Sequence, residues 1–103
     1  MQKYRIVMQT PLGERCGTLT ADISGGAVNG TLDLFEHKQP FTGTISPDRQ
    51  CSISGTFVTL LRTVHFAAVG GMTDSSLSLR MQGERNVFLL TGTACDMEEE
   101  VPQ

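Results

Sequence analysis

The sequence predicts an all-β domain: about eight short antiparallel strands in an up-and-down meander, curling into a small closed or flattened β-barrel. Three observations carry that expectation. The composition has no Trp and only six aromatics against 11 Gly, a balance ordinary for short strands joined by tight turns. Turn signals recur along the whole chain: "TPLGE" (10–14), "SGGA" (24–27), "EHKQP" (36–40), "SPDRQ" (46–50), "GGMTDSS" (70–76) and "GERN" (83–86), each rich in residues that tolerate or pre-set turn dihedrals. Finally, Gly-Thr occurs five times, at Gly17-Thr18, Gly30-Thr31, Gly43-Thr44, Gly55-Thr56 and Gly92-Thr93. A two-sheet β-sandwich is the alternative compatible with the same pattern.

Between the turns, alternation of apolar and polar side chains assigns strands near 3–9, 14–23, 27–36, 39–46, 50–60, 63–70, 75–82 and 86–95. Their apolar faces read in order Tyr4, Ile6, Met8; Leu19, Ala21, Ile23; Val28, Leu32, Leu34; Phe41, Ile45; Cys51, Ile53, Phe57; Val64, Phe66, Ala68; Leu77, Leu79, Met81; and Phe88, Leu90, Ala94. No segment keeps a helical period. The nearest candidate, "TFVTLLRTVHFAAV", is stiffened by β-branched residues that favour a strand. Its "LLRTV" contains no Gly or Pro, so 50–70 reads either as two strands or as one long bent strand.

The Gly-Thr intervals are 13, 13, 12 and 37 residues, which marks one position per strand and places missing equivalents near Ala68 and Leu79. Parity gives the word its meaning: in all five cases the glycine falls on the apolar face and the threonine on the other. A glycine on the core side removes a side chain where a sheet coils sharply or something approaches closely. One per strand suits a sheet that closes on itself and so loses its edges. The strands "SGTF" and "LTGTA" resemble those of avidin-type and lipocalin-type, calycin-like barrels. That resemblance implies the architecture only: avidin-type proteins hold biotin with tryptophans, and this chain has none.

Charge is concentrated at one end. The tail "DMEEEVPQ" carries four of the eleven acidic residues, leaving residues 1–95 with eight basic against seven acidic side chains. A near-neutral body offers nothing to nucleic acid or to an anionic membrane. Residues 1–95 are expected to form one barrel domain and 96–103 an acidic disordered tail. The N-terminus lacks the apolar run of a signal peptide, and no stretch reaches the 18 apolar residues of a membrane helix, so a cytoplasmic location is expected. Cys16, Cys51 and Cys95 show no CxxC spacing and lie far from His37 and His65 in sequence; free thiols are expected, with no metal. The glycine patterns match neither GxGxxG nor a P-loop, and no cofactor is expected.

Function is sought on the two faces of the wall. On the inner face, Tyr4, Gly43, Gly55, Phe57, Phe66 and Phe88 are candidates to contact a small apolar ligand, since eight strands enclose just enough room for their own side chains or one small molecule. The outer face is unusual over 57–70, where apolar residues also point outward. Val58, Leu60, His65, Ala67 and Val69 form a candidate interface, with a second copy as the simplest partner. His65 near Arg62 and Asp74 is the one tempting catalytic grouping, but parity puts it on the outer face with no nucleophile beside it. The expectation is a non-enzymatic binding or assembly module that forms a homo-dimer or higher homo-oligomer. The alternative is a carrier or sensor of a small apolar ligand held inside the barrel.

Overall fold

The structure, a computed structural model, describes residues 2–10, 13–34, 36–58, 62–84 and 86–95. It contains eight strands: β1 (Gln2–Thr10), β2 (Gly13–Ser24), β3 (Ala27–Leu34), β4 (His37–Ile45), β5 (Gln50–Val58), β6 (Thr63–Met72), β7 (Ser76–Gln82) and β8 (Val87–Ala94). Each pairs antiparallel with the next, and β8 pairs with β1, so the sheet closes into a barrel. The sandwich alternative is thereby excluded. The stretch 50–70 is two strands, paired from Gln50↔Gly71 to Val58↔Thr63. The proposed tail, 96–103, lies outside the described residues. No helix of the structure is long and apolar enough to cross a membrane.

The core is the inner face of the wall. Twenty-one hydrophobic residues are buried, no polar or charged residue among the described ones is, and Ile23, Ile45 and Ala94 pack against them partly exposed. Every apolar-face residue read from the sequence belongs to this set. Met72, read as part of a turn, is fully buried as well, because β6 runs two residues past its expected end.

At three of the five Gly-Thr glycines, Gly17, Gly30 and Gly43, neighbouring strands come too close for a side chain. A Cβ on Gly30 would stand 1.8 Å from the Thr20 carbonyl oxygen, and one on Gly43 2.1 Å from that of Ser52. The missing side chain therefore serves the coiling of the wall. On β6 this part is played by Gly70, where a Cβ would meet the Ser78 carbonyl oxygen at 2.0 Å, and not at the expected Ala68, which fills the core as an ordinary buried residue. Leu79, the other expected equivalent, is likewise buried in the core.

The two ends of the barrel differ. At one, three rings close the core: Phe57 lies 6.0 Å from Phe66 and 5.8 Å, edge to face, from Phe88, centroid to centroid. At the other, which holds the start of β1 and the β2–β3, β4–β5 and β6–β7 turns, closure is polar. The hydroxyl of buried Tyr4 donates to the Thr73 carbonyl at 2.5 Å and also lies against Gln2 Oε1. Gln2 Nε2 donates to Asp74 Oδ1 at 2.9 Å, which also receives Arg49 Nη2 at 3.0 Å. This clasp joins β1 to two turns.

Candidate functional site

The inner-face candidates do not converge. Tyr4 stands at the clasped end, Phe57, Phe66 and Phe88 cluster at the opposite end, and Gly43 and Gly55 sit in the wall between. At both glycines the space a side chain would take is occupied: by Ser52 and Ile53 at Gly43, by Pro40 and Phe41 at Gly55. Burial raises the Tyr4 phenol above its usual range, with Arg49 nearby opposing the shift. Burial likewise pushes the Cys51 thiol up, which disfavours the reactive thiolate. Cys16 is exposed and Cys95 half-buried, and all three thiols are free.

His65 is exposed on the outer face, opposite Thr56. The structure does not bring it together with Asp74. His65 lies near the start of β6, and Asp74 lies beyond the other end of that strand, at the opposite mouth, paired with Arg49. Arg62 pairs with Glu84 at 3.2 Å. Among the described residues no group of three or more His, Cys, Asp or Glu could hold a metal ion.

The outer apolar surface is present but displaced from its expected centre. Facing outward, β5 carries Ser52, Ser54 and Thr56, so only half-buried Val58 contributes there; Leu60 lies outside the described residues. Ala67 and Val69 of β6 are exposed as expected. Val69 is 55% exposed and joins Leu89, also 55%, and Val87, at 42%, on β8. The pairings Val69↔Arg80, Arg80↔Leu89, Leu89↔Gln9 and Gln9↔Glu14 place Val69 and Leu89 in one row across five strands, while Val87 lies in the next outward row with Gln82 and Ala67. Sequence reasoning overlooked Val87 and Leu89, although their parity in "NVFLL", opposite Phe88 and Leu90, signals an apolar outer face.

Depressions mark the described surface. A cleft of about 490 Å³ opens at the clasped mouth between Ile23, Gly25, Gly26, Ile45, Ser46, Pro47 and Arg49. One of about 430 Å³ runs beside it over β4–β6, from Thr44 to Val69. A third, of about 460 Å³, lies on the far side between Lys3, Thr18, Thr20, Thr31, Asp33 and Lys38; there Asp33 pairs in register with Lys38, so the groove supplies its own counter-charge. Comparison with protein families, with curated proteins and with solved structures finds no match to this chain.

Proposed function

We propose that this barrel is a non-enzymatic assembly module that pairs with a second copy of itself through the outer strip of β6–β8. The observation that carries the reading is the trio Val69, Val87 and Leu89, the large hydrophobic side chains left exposed among the described residues, gathered on one side of the wall. Exposed large apolar side chains clustered within a polar surround usually mark a contact, and closed two-fold symmetry is the commonest form of self-association.

Charge supports a second copy as the occupant. Arg80 and Glu14 flank Leu89 within the same cross-strand row, one strand to one side and two strands to the other. A two-fold axis between Leu89 and Gln9 sets each Arg80 over the other copy's Glu14 and brings the two Leu89 side chains to the centre. A standard interface takes ~800 Å² from each copy, about an eighth of the 6293 Å² this barrel exposes. The three free thiols fit a reducing, cytoplasmic setting for such a module.

Sedimentation equilibrium tests this. The unaltered chain is expected to be dimeric, and Leu89→Asp to weaken association by roughly 100-fold, since two apolar contacts worth ~1.5 kcal/mol each are lost. Arg80→Glu and Glu14→Arg should each weaken the dimer, and the double exchange should restore it. A monomer at every concentration, or a dimer indifferent to Leu89→Asp, overturns the reading.

A further inference from the structure

The four-residue turn Ser46–Arg49 breaks the rule of its own geometry. A turn of the form x-Pro-Asp-Gly places glycine at its last position because that residue must adopt the left-handed conformation. Here the turn is built as expected up to that point: the Arg49 N–H donates to the Ser46 carbonyl at 2.9 Å, and Ser46 N–H to the Gln50 carbonyl at 2.8 Å. The Ser46 hydroxyl and the Gln50 N–H both bond Asp48, whose carboxyl is thereby held below its usual range. The glycine slot, at φ 70°, is filled by arginine. A side chain there is unfavourable on backbone grounds, and its one ion pair, to an Asp74 that is 88% exposed, adds little to stability. Glu36 adopts the same conformation, at φ 64°; Arg49 is set apart by where its side chain lies.

That side chain lines the mouth cleft. Its other walls are the apolar Ile23, Ile45 and Pro47, the glycines Gly25 and Gly26, and Ser46, whose hydroxyl is turned to Asp48 and the Gln50 carbonyl. The floor of the β2–β3 hairpin is Gly25-Gly26, both at positive φ, and a Cβ at Gly25 would meet nothing within 4 Å, so the cleft is open on that side. Arg49 Nη2 meets Asp74 through a single contact at 3.0 Å, while a guanidinium has five N–H donors in a fork suited to a carboxylate. An apolar pocket with one placed cation, in the mouth of a β-barrel, is the usual form of a small-molecule site.

We propose that this cleft binds a small organic carboxylate, its apolar body against Ile23, Ile45 and Pro47 and its carboxylate on Arg49. The size of the cleft admits a short branched, linear or aromatic acid. The site shares no residue with the strip of β6–β8, so it stands or falls separately from self-association.

The test is an amide-resolved NMR titration with phenylacetate and with octanoate, using phenylacetamide as the uncharged control. Saturable shifts are expected at Gly25, Gly26 and Ser46–Arg49, with a Kd on the order of 1 mM, and at least tenfold weaker binding of the amide. Arg49→Asn removes the guanidinium while suiting the left-handed backbone, so it should keep the fold and the oligomeric state yet lose tenfold or more in affinity. Arg49→Lys, which keeps the charge without the fork, should fall between. No saturable shift with either acid overturns the proposal. So does equal binding by Arg49→Asn, or shifts confined to the Lys3–Lys38 groove.

Discussion

Replacing Gly30 by alanine isolates what the glycine layer does. A Cβ there would stand 1.8 Å from the Thr20 carbonyl oxygen and 2.8 Å from Phe41 Cζ. The ring can rotate away, but the carbonyl belongs to the β2–β3 ladder, where Gly30 pairs with Ala21 and Thr31 with Thr20. Reaching even 3.0 Å, the closest approach side chains tolerate, requires the strands to part by more than 1 Å. That disrupts about two ladder hydrogen bonds at ~1 kcal/mol each and adds ~1–3 kcal/mol of overpacking. Alanine returns ~0.5–1 kcal/mol by restricting the unfolded chain. The net expectation is a loss of about 2–4 kcal/mol, large beside the ~5–15 kcal/mol available to a domain of this size. Gly55→Ala is the internal control. It belongs to the same Gly-Thr word and the same face, but its Cβ would meet the Pro40 oxygen at 2.9 Å and Phe41 Cβ at 3.0 Å, a misfit of tenths of an ångström, so its net effect should lie within about 1 kcal/mol of zero. Equilibrium urea unfolding measures both, with an unchanged slope confirming that only stability moved. If Gly30→Ala costs under ~1 kcal/mol, or if the two variants cost the same, close strand approach is not what the glycines provide.

Two further expectations concern the clasped end. Tyr4→Phe removes the hydroxyl that caps the Thr73 carbonyl and should cost about 1–1.5 kcal/mol in the same urea assay; no loss would mean that the clasp adds nothing to stability. Cys51 and Tyr4 both have folded-state pKa values raised by burial, so each favours folding below its unfolded pKa and loses that contribution as pH rises through the folded value. Stability should therefore decline above about pH 9, the ordinary thiol value. Cys51→Ala should flatten the first part of that decline and Tyr4→Phe the part at higher pH. A decline unchanged in both variants would place its source elsewhere.

Strand order and closure were legible because turn chemistry and parity agree along the whole chain. Ser24 and Ala27 bracket Gly25-Gly26 at positive φ, a two-residue turn whose twist matches the strands it joins. Every Gly-Thr glycine faces inward as parity requires. The misplaced end of β6 has a definite cause: glycine read there only as a turn former. In "VGGM" the pair suggested that β6 stops at residue 70, whereas Gly70 sits mid-ladder opposite Cys51 and Leu79 and carries the strand on to buried Met72. The outer strip was half legible. Val69 was visible on a strand already singled out, but Leu89 acquires meaning only through the register that sets Arg80 between them, and register between β6 and β8 is not written in either strand. The mouth cleft was the least legible feature. "SPDRQ" was recognised as a turn, yet its signal lies in a residue that is absent, the glycine that should follow Pro-Asp.

The two mouths of the barrel also divide stability from adaptability. The Phe57–Phe66–Phe88 end is closed by rings whose pairing adds ~0.5–1.5 kcal/mol per contact beyond their burial, so substitution there is felt by the whole fold. The clasped end is closed by one buried hydroxyl and a chain of polar groups running from half-buried Gln2 through exposed Asp74 to half-buried Arg49. Exposed pairs contribute ~0–1 kcal/mol, so Gln2, Asp74 and Arg49 can vary with little consequence for folding. A binding site is most easily maintained where side chains are positioned by a rigid wall but do not themselves hold that wall together. In this chain that description fits the mouth formed by the β2–β3 and β4–β5 turns: β2 to β5 fix its place, and the arginine in a glycine's position sets its chemistry.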